Sequence, residues 1–192
     1  MKIIVSLETK KSIDVAHRVV DYVDGFKINH MLWDEIIAWP KHWTQNKKQE
    51  LFVDFKLWDT PNTVETVVKK IIDKGGTMVS ICAHNNQETF RRLKNLSDQI
   101  KLIGVISLTS WDHEEERSIT NHQPYDMWRM HLDKLRKYNF QHLVCPAPDL
   151  KLIKNFDFSG PESYQYICPG IVMFNELGSD GKQTSGQSRT ST

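Results

Sequence analysis

The feature that most constrains this chain is an alternation. Seven short apolar runs, near residues 2–7, 25–29, 51–55, 78–82, 102–108, 142–145 and 164–168, are separated by stretches with helical periodicity. Ile13, Ala16, Val19, Val20 and Val23 mark the first of these helices, and Leu32, Ile36 and Ile37 a second that Pro40 ends or kinks. Val64, Val67, Val68, Ile71 and Ile72 mark a third, Phe90, Leu93 and Leu96 a fourth, and Trp128, Leu132 and Leu135 a later one. The segment after Asp149 is short, with Leu150, Leu152 and Ile153 as its apolar positions. Strands that alternate with helices imply a parallel sheet, because parallel neighbours need a crossover rather than a tight hairpin. Two α/β architectures satisfy the pattern, an open doubly wound sheet and a (β/α)8 barrel, and periodicity does not choose between them. The residues after the first run, Ser6-Leu7-Glu8-Thr9-Lys10, form no glycine-rich phosphate turn. That lowers the dinucleotide-binding option.

Composition narrows the class further. A chain of 192 residues with 39% hydrophobic content suits one domain with a real core. Its 25 basic and 24 acidic residues lack the excess of a general nucleic-acid binder. No apolar run approaches the roughly 18 residues of a membrane helix, and the N-terminus enters a strand without a signal-peptide pattern. Cys82, Cys145 and Cys168 lack CxxC spacing, which argues against a disulfide framework or a zinc site and for thiols in a reducing compartment. The expectation is a soluble cytoplasmic protein. From Asn175 the chain becomes polar and rich in Gly and Ser, so residues 173–192 are expected to be a flexible tail on a single domain spanning 1–192. Composition alone favours a disordered terminus there; the functional alternative is a phosphate-gripping loop, in which glycine lets backbone N–H groups approach an anion.

Chemistry concentrates where the third apolar run gives way to a turn. Asp54, Lys56 and Asp59 fall at a strand end just before Pro61 and the helix that follows. Asp54 and Lys56, two apart on a strand, point to the same side. In parallel α/β proteins the carboxyl ends of strands are where ligands gather. For D-x-K-x-x-D alone, a surface salt-bridge network is as good a reading as an active site.

The longer run Asp54-Phe55-Lys56-Leu57-Trp58-Asp59-Thr60-Pro61-Asn62-Thr63-Val64 closely resembles the signature of orotidine 5′-monophosphate decarboxylases. Other markers follow in the family's order. Gly25-Phe26-Lys27 resembles the second-strand lysine segment, and Leu108-Thr109-Ser110 the loop whose serine contacts the pyrimidine. Pro169-Gly170-Ile171 resembles the end of the seventh strand, and Gly186-Gln187-Ser188-Arg189 the phosphate loop. The resemblance implies a (β/α)8 TIM barrel, usually dimeric. It also implies decarboxylation of orotidine 5′-monophosphate to UMP in pyrimidine biosynthesis, without cofactor or metal. Lys27, Asp54, Lys56 and Asp59 would form the catalytic array, with Lys56 protonating the C6 carbanion. Glu8, Thr63, Ser110, Pro169, Gly170, Gln187 and Arg189 would contact the nucleotide, and Asp59 and Thr63 would reach the partner subunit's site in a homodimer.

Some positions depart from the family pattern. Glu8 stands for a first-strand aspartate, Cys82 for a fourth-strand histidine with His84 two residues on, and Val172 for an arginine. The family's eighth strand, with its Gly-Arg phosphate contact, has no counterpart before Thr192. The expectation is therefore a C-terminally incomplete barrel of about seven βα units. Two alternatives stand beside decarboxylation: a non-catalytic or altered nucleotide-phosphate-binding relative, and a sister Mg²⁺-dependent sugar-phosphate decarboxylase or aldolase. Trp58, Trp111 and Trp128 read as packing or interface residues, Cys82 and Cys145 as small core hydrophobes, and His113-Glu114-Glu115-Glu116-Arg117 as a solvated helix start.

Overall fold

The computed structural model describes residues 1–34, 49–108, 110–156 and 164–171. Its strands form one seven-stranded sheet in chain order, β1 to β7. Packing gathers the chain into two compact units that meet between Ile103 and Gly104, and each is described by itself.

The first unit holds β1 (Ile4–Leu7), α1 (Lys11–Val19), β2 (Gly25–Ile28), a 3-10 turn (His30–Leu32), β3 (Glu50–Leu57), α2 (Pro61–Asp73), β4 (Met78–Cys82) and α3 (Gln87–Lys94). At its end, β5 (Lys101–Val105) begins. β1 with β2, β2 with β3 and β3 with β4 pair in parallel. Helix starts follow local chemistry. Pro61 occupies the first turn of α2, where a missing N–H costs nothing, and Asn86 caps α3 by accepting from the Thr89 N–H. The apolar stripe of α2 buries Val64, Val68 and Ile71, while β3 buries Leu51, Phe52 and Val53. Burial of each such side chain is worth about 1.5–3 kcal/mol.

The strands' N-terminal ends are tied by an ionic cluster. Glu50, at the start of β3, is buried. It accepts from the Thr77 hydroxyl at 2.7 Å and pairs with Lys101 and, at 3.5 Å, with Lys2. Burial works to raise its pKa, but hydrogen bonds from Lys101 and Thr77 and the two lysine charges hold it below the ordinary carboxylate value. Gly25 lies against the same residue. A β-carbon there would fall 2.4 Å from the Glu50 carbonyl oxygen and 2.7 Å from its Cβ.

The second unit continues with α4 (His113–Thr120), α5 (Pro124–Lys137), β6 (His142–Val144), a 3-10 turn (Ala147–Asp149), α6 (Leu150–Phe156) and β7 (Gln165–Ile167). β6 and β7 pair in parallel, Leu143 against Tyr166. α4 opens on a capping box between Asp112 and Glu115. The expectation of a solvated helix start holds for Glu114 and Glu115 and fails for Glu116, which is fully buried. Its carboxylate accepts from the indole N–H of buried Trp128 at 2.6 Å, because a buried indole needs an acceptor.

Sequential parallel order with helical crossovers is the order of a (β/α)8 barrel, and the described residues supply seven of its strands. The helix expected around Ile36, Ile37 and Pro40 and the tail at 173–192 lie outside the described residues. All three cysteines are free thiols. Among the described residues no helix is long and apolar enough to cross a membrane. Gly25→Ala is expected to lower stability by about 1–3 kcal/mol, since the backbone carbonyl it meets cannot rotate away; the denaturant midpoint of the variant checks this.

Candidate active site

The third strand ends irregularly. Val53 pairs with Val79 and Leu57 with Ile81, so Asp54, Phe55 and Lys56 on β3 stand opposite Ser80 alone on β4. Such a bulge bends the strand and re-aims its side chains. Lys56 absorbs the distortion with φ of 48°, in the left-handed region that a residue with a β-carbon rarely adopts. A strained backbone at a charged residue often marks function.

The bulge gathers the charges. Lys56 Nζ lies 2.8 Å from Asp54 Oδ2, and Lys27 Nζ, one strand over on β2, lies 3.5 Å from the same oxygen. Asp54 Oδ1 accepts from the Ser80 hydroxyl at 2.7 Å, and that hydroxyl accepts from the Lys56 backbone N–H at 2.8 Å. Between the two charged residues, the Phe55 ring stacks on His30 with centroids 4.2 Å apart and meets the edge of Trp33 at 5.2 Å. These ring contacts anchor the middle of the bulge. The Asp54 side chain is 11% exposed and that of Lys56 is 40% exposed, so the carboxylate is the more sheltered member of the pair. Burial alone would raise the Asp54 pKa; the charges of Lys56 and Lys27, with hydrogen bonds from Lys56 and Ser80, outweigh it and hold the carboxyl below its ordinary value.

Three of the four residues expected in the catalytic array are thus brought together. The fourth, Asp59, is exposed and its carboxylate accepts from the neighbouring Thr60 N–H at 2.6 Å. Its own N–H donates to buried Asn85, whose amide also donates to the Leu57 carbonyl at 2.7 Å and the Cys82 carbonyl at 2.9 Å. Asn85 thereby fixes the turn between β3 and α2. Thr63 sits in the first turn of α2 with its hydroxyl 2.9 Å from that of Thr60, and Glu8 follows β1, exposed, accepting from Ser6 at 3.2 Å. Cys82 is half-buried rather than a core residue, with its sulfur 3.5 Å from His84 Nδ1. In the second unit, Ser110 is exposed in the turn after β5, and Pro169 and Gly170 follow β7, Gly170 with φ of 74°. Gln187 and Arg189 lie outside the described residues. Sequence alone does not mark Ser80 or Asn85. The signal available was one hydroxyl in the apolar run Met78-Val79-Ser80-Ile81-Cys82 beside the charged strand. No group of three or more His, Cys, Asp or Glu side chains among the described residues is arranged to hold a metal ion.

A model of the orotidine 5′-phosphate decarboxylase / HUMPS family matches residues 1–192. The chain belongs to that family. It is 28% identical over 150 residues to a Streptococcus gordonii protein named orotidine 5′-phosphate decarboxylase, which covers 77% of this chain and 62% of that one. A Buchnera aphidicola protein of the same name is 31% identical over 132 residues, 66% of this chain and 55% of its own. The chain therefore spans less than two thirds of the length of these curated relatives. The crystal structure of orotidine 5′-phosphate decarboxylase from Lactobacillus acidophilus superposes with a TM-score of 0.72, covering 89% of this chain and 81% of that one. At 20% identity that likeness speaks for the fold.

The depressed pKa of Asp54 has a consequence for acid stability. A carboxyl whose folded pKa lies below its unfolded value stabilises the fold above the unfolded pKa, near 4, and loses that contribution as pH falls through the folded one. Asp54→Asn is expected to lower stability at pH 7, where two ammonium groups lose their counter-ion, and to flatten the decline below about pH 4. Glu50 is shifted in the same direction and keeps part of that decline in the variant. Urea midpoints measured across this range for both proteins test it.

Proposed function

We propose that this protein decarboxylates orotidine 5′-monophosphate to UMP, with the cluster at the end of β3 as its reaction centre. The observation that carries the reading is one sheltered carboxylate, Asp54, shared by Lys56 and Lys27. Two ammonium groups against one carboxylate leave an excess positive charge at a strand's carboxyl end. That suits an anionic substrate whose transition state develops negative charge at carbon.

The chemistry follows from the charges. The bond between C6 and the carboxylate breaks heterolytically, CO₂ leaves, and the electron pair stays on C6. Lys56 stabilises this carbanion-like centre electrostatically and then transfers a proton from Nζ to C6, completing UMP; the neutral amine regains its proton from solvent. Asp54 holds Lys56 and, facing the substrate carboxylate, disfavours the ground state more than a transition state that is losing that charge. Lys27 balances the carboxylates. Asp59 and Thr63 are proposed to complete the site of a partner subunit in a homodimer, a reading supported by the family motif and by the exposure of both residues. Glu8, Ser110, Pro169, Gly170, Gln187 and Arg189 are proposed as ribose, pyrimidine and phosphate contacts on the strength of their places in the motif order. No cofactor or metal takes part in the scheme.

Lys56→Ala removes both the cation and the acid. The rate of orotidine monophosphate absorbance loss, followed on pure protein, is expected to fall by at least about 10⁴-fold, since electrostatic stabilisation and proton transfer each contribute about 10²-fold or more. Turnover by Lys56→Ala near the wild-type rate would sink the mechanism. UMP binding without any turnover by the wild-type chain would instead favour a nucleotide-binding role, and activity abolished by EDTA would point to the metal-dependent sister reaction.

A further inference from the structure

We infer that the Ser80 hydroxyl is a positioning residue for this reaction, an inference that rests on the function proposed above. Ser80 is the sole β4 residue opposite the three-residue bulge of β3, and it is fully buried. A regular ladder would offer the Lys56 N–H a backbone carbonyl, and a buried N–H requires some acceptor. Here the acceptor is Ser80 Oγ, at 2.8 Å. Because a hydroxyl is donor and acceptor at once, the same oxygen donates its proton to Asp54 Oδ1 at 2.7 Å. The other oxygen of Asp54 holds Lys56 Nζ at 2.8 Å.

The result is a closed chain of contacts, from the Lys56 backbone through Ser80 and Asp54 to the Lys56 ammonium. It ties the left-handed backbone at Lys56 to the placement of its own side chain. It also orients Asp54: with Oδ1 taken by the hydroxyl, Oδ2 faces Lys56 and Lys27. No other side-chain type of that size supplies both halves. Alanine supplies neither, and a thiol donates weakly.

Ser80→Ala is expected to reduce kcat by about 10- to 100-fold, the range of a hydrogen bond to a charged group, with a smaller change in KM. Ser80→Thr, which restores the hydroxyl, is expected to recover a substantial part of the loss. Ser80→Cys, close to serine in volume, should fall with alanine and serves where alanine folds poorly. A purely structural role would lower stability without these signatures, so the Asp54 carboxyl is also titrated by carbon-13 NMR. Loss of the Ser80 donor should move its titration to higher pH. Wild-type kcat in Ser80→Ala and Ser80→Cys, or an unmoved Asp54 titration, overturns the inference. If the wild-type chain turns over no orotidine monophosphate, the proposed function fails. The Asp54 titration then still decides whether Ser80 orients the carboxylate.

Discussion

One carboxylate held between two lysines is the interaction on which the site depends, and the chain uses that arrangement twice. At the N-terminal ends of the strands, Glu50 takes Lys2 and Lys101 with a hydroxyl from Thr77. At the carboxyl end of the same strand, Asp54 takes Lys27 and Lys56 with a hydroxyl from Ser80. Both carboxyls are pulled below their ordinary pKa values by their partners against the opposing effect of burial. The difference lies in the backbone. Glu50 begins a regular register beside Gly25, whereas Asp54 opens a bulge that ends in a left-handed lysine. The first arrangement fastens strands; the second leaves a partly exposed lysine side chain beside a sheltered carboxylate. In (β/α)8 barrels generally the N-terminal face serves stability and the carboxyl face serves chemistry, and the role proposed for Asp54 and Lys56 would follow that division.

Much of this was legible in the residues. The alternation of apolar runs gives parallel βα units because strand and helix periods differ and can be counted. The D-x-K spacing places Asp54 and Lys56 together by strand geometry, and the second-strand lysine follows from motif order. The contact between the two does form, though through a bulge rather than through plain alternation. Nothing in Asp54-Phe55-Lys56 announces that bulge. The usual cue for a positive φ is glycine or asparagine, and here the position is a lysine, so local propensity pointed elsewhere.

Two of the remaining differences have the same origin, a partner distant in sequence. Ser80 acquires its role from an irregularity on the neighbouring strand, and a lone hydroxyl in an apolar run does not reveal it. Glu116 reads as one of three solvated glutamates until Trp128, from the next helix, needs an acceptor. Asp59 shares a motif with the cluster, yet in the single chain its carboxylate turns onto Thr60.

The backbone at Lys56 also bears on how such a chain drifts over generations. A left-handed conformation costs a residue with a β-carbon about 1–2 kcal/mol relative to glycine. Position 56 is therefore a place where the backbone and the proposed chemistry prefer different residues: a change to glycine would relieve the backbone and erase the ammonium group together. Against that relief stands the loss of the closest counter-ion of the sheltered Asp54 carboxylate, so the backbone and the ion pair pull position 56 in opposite directions.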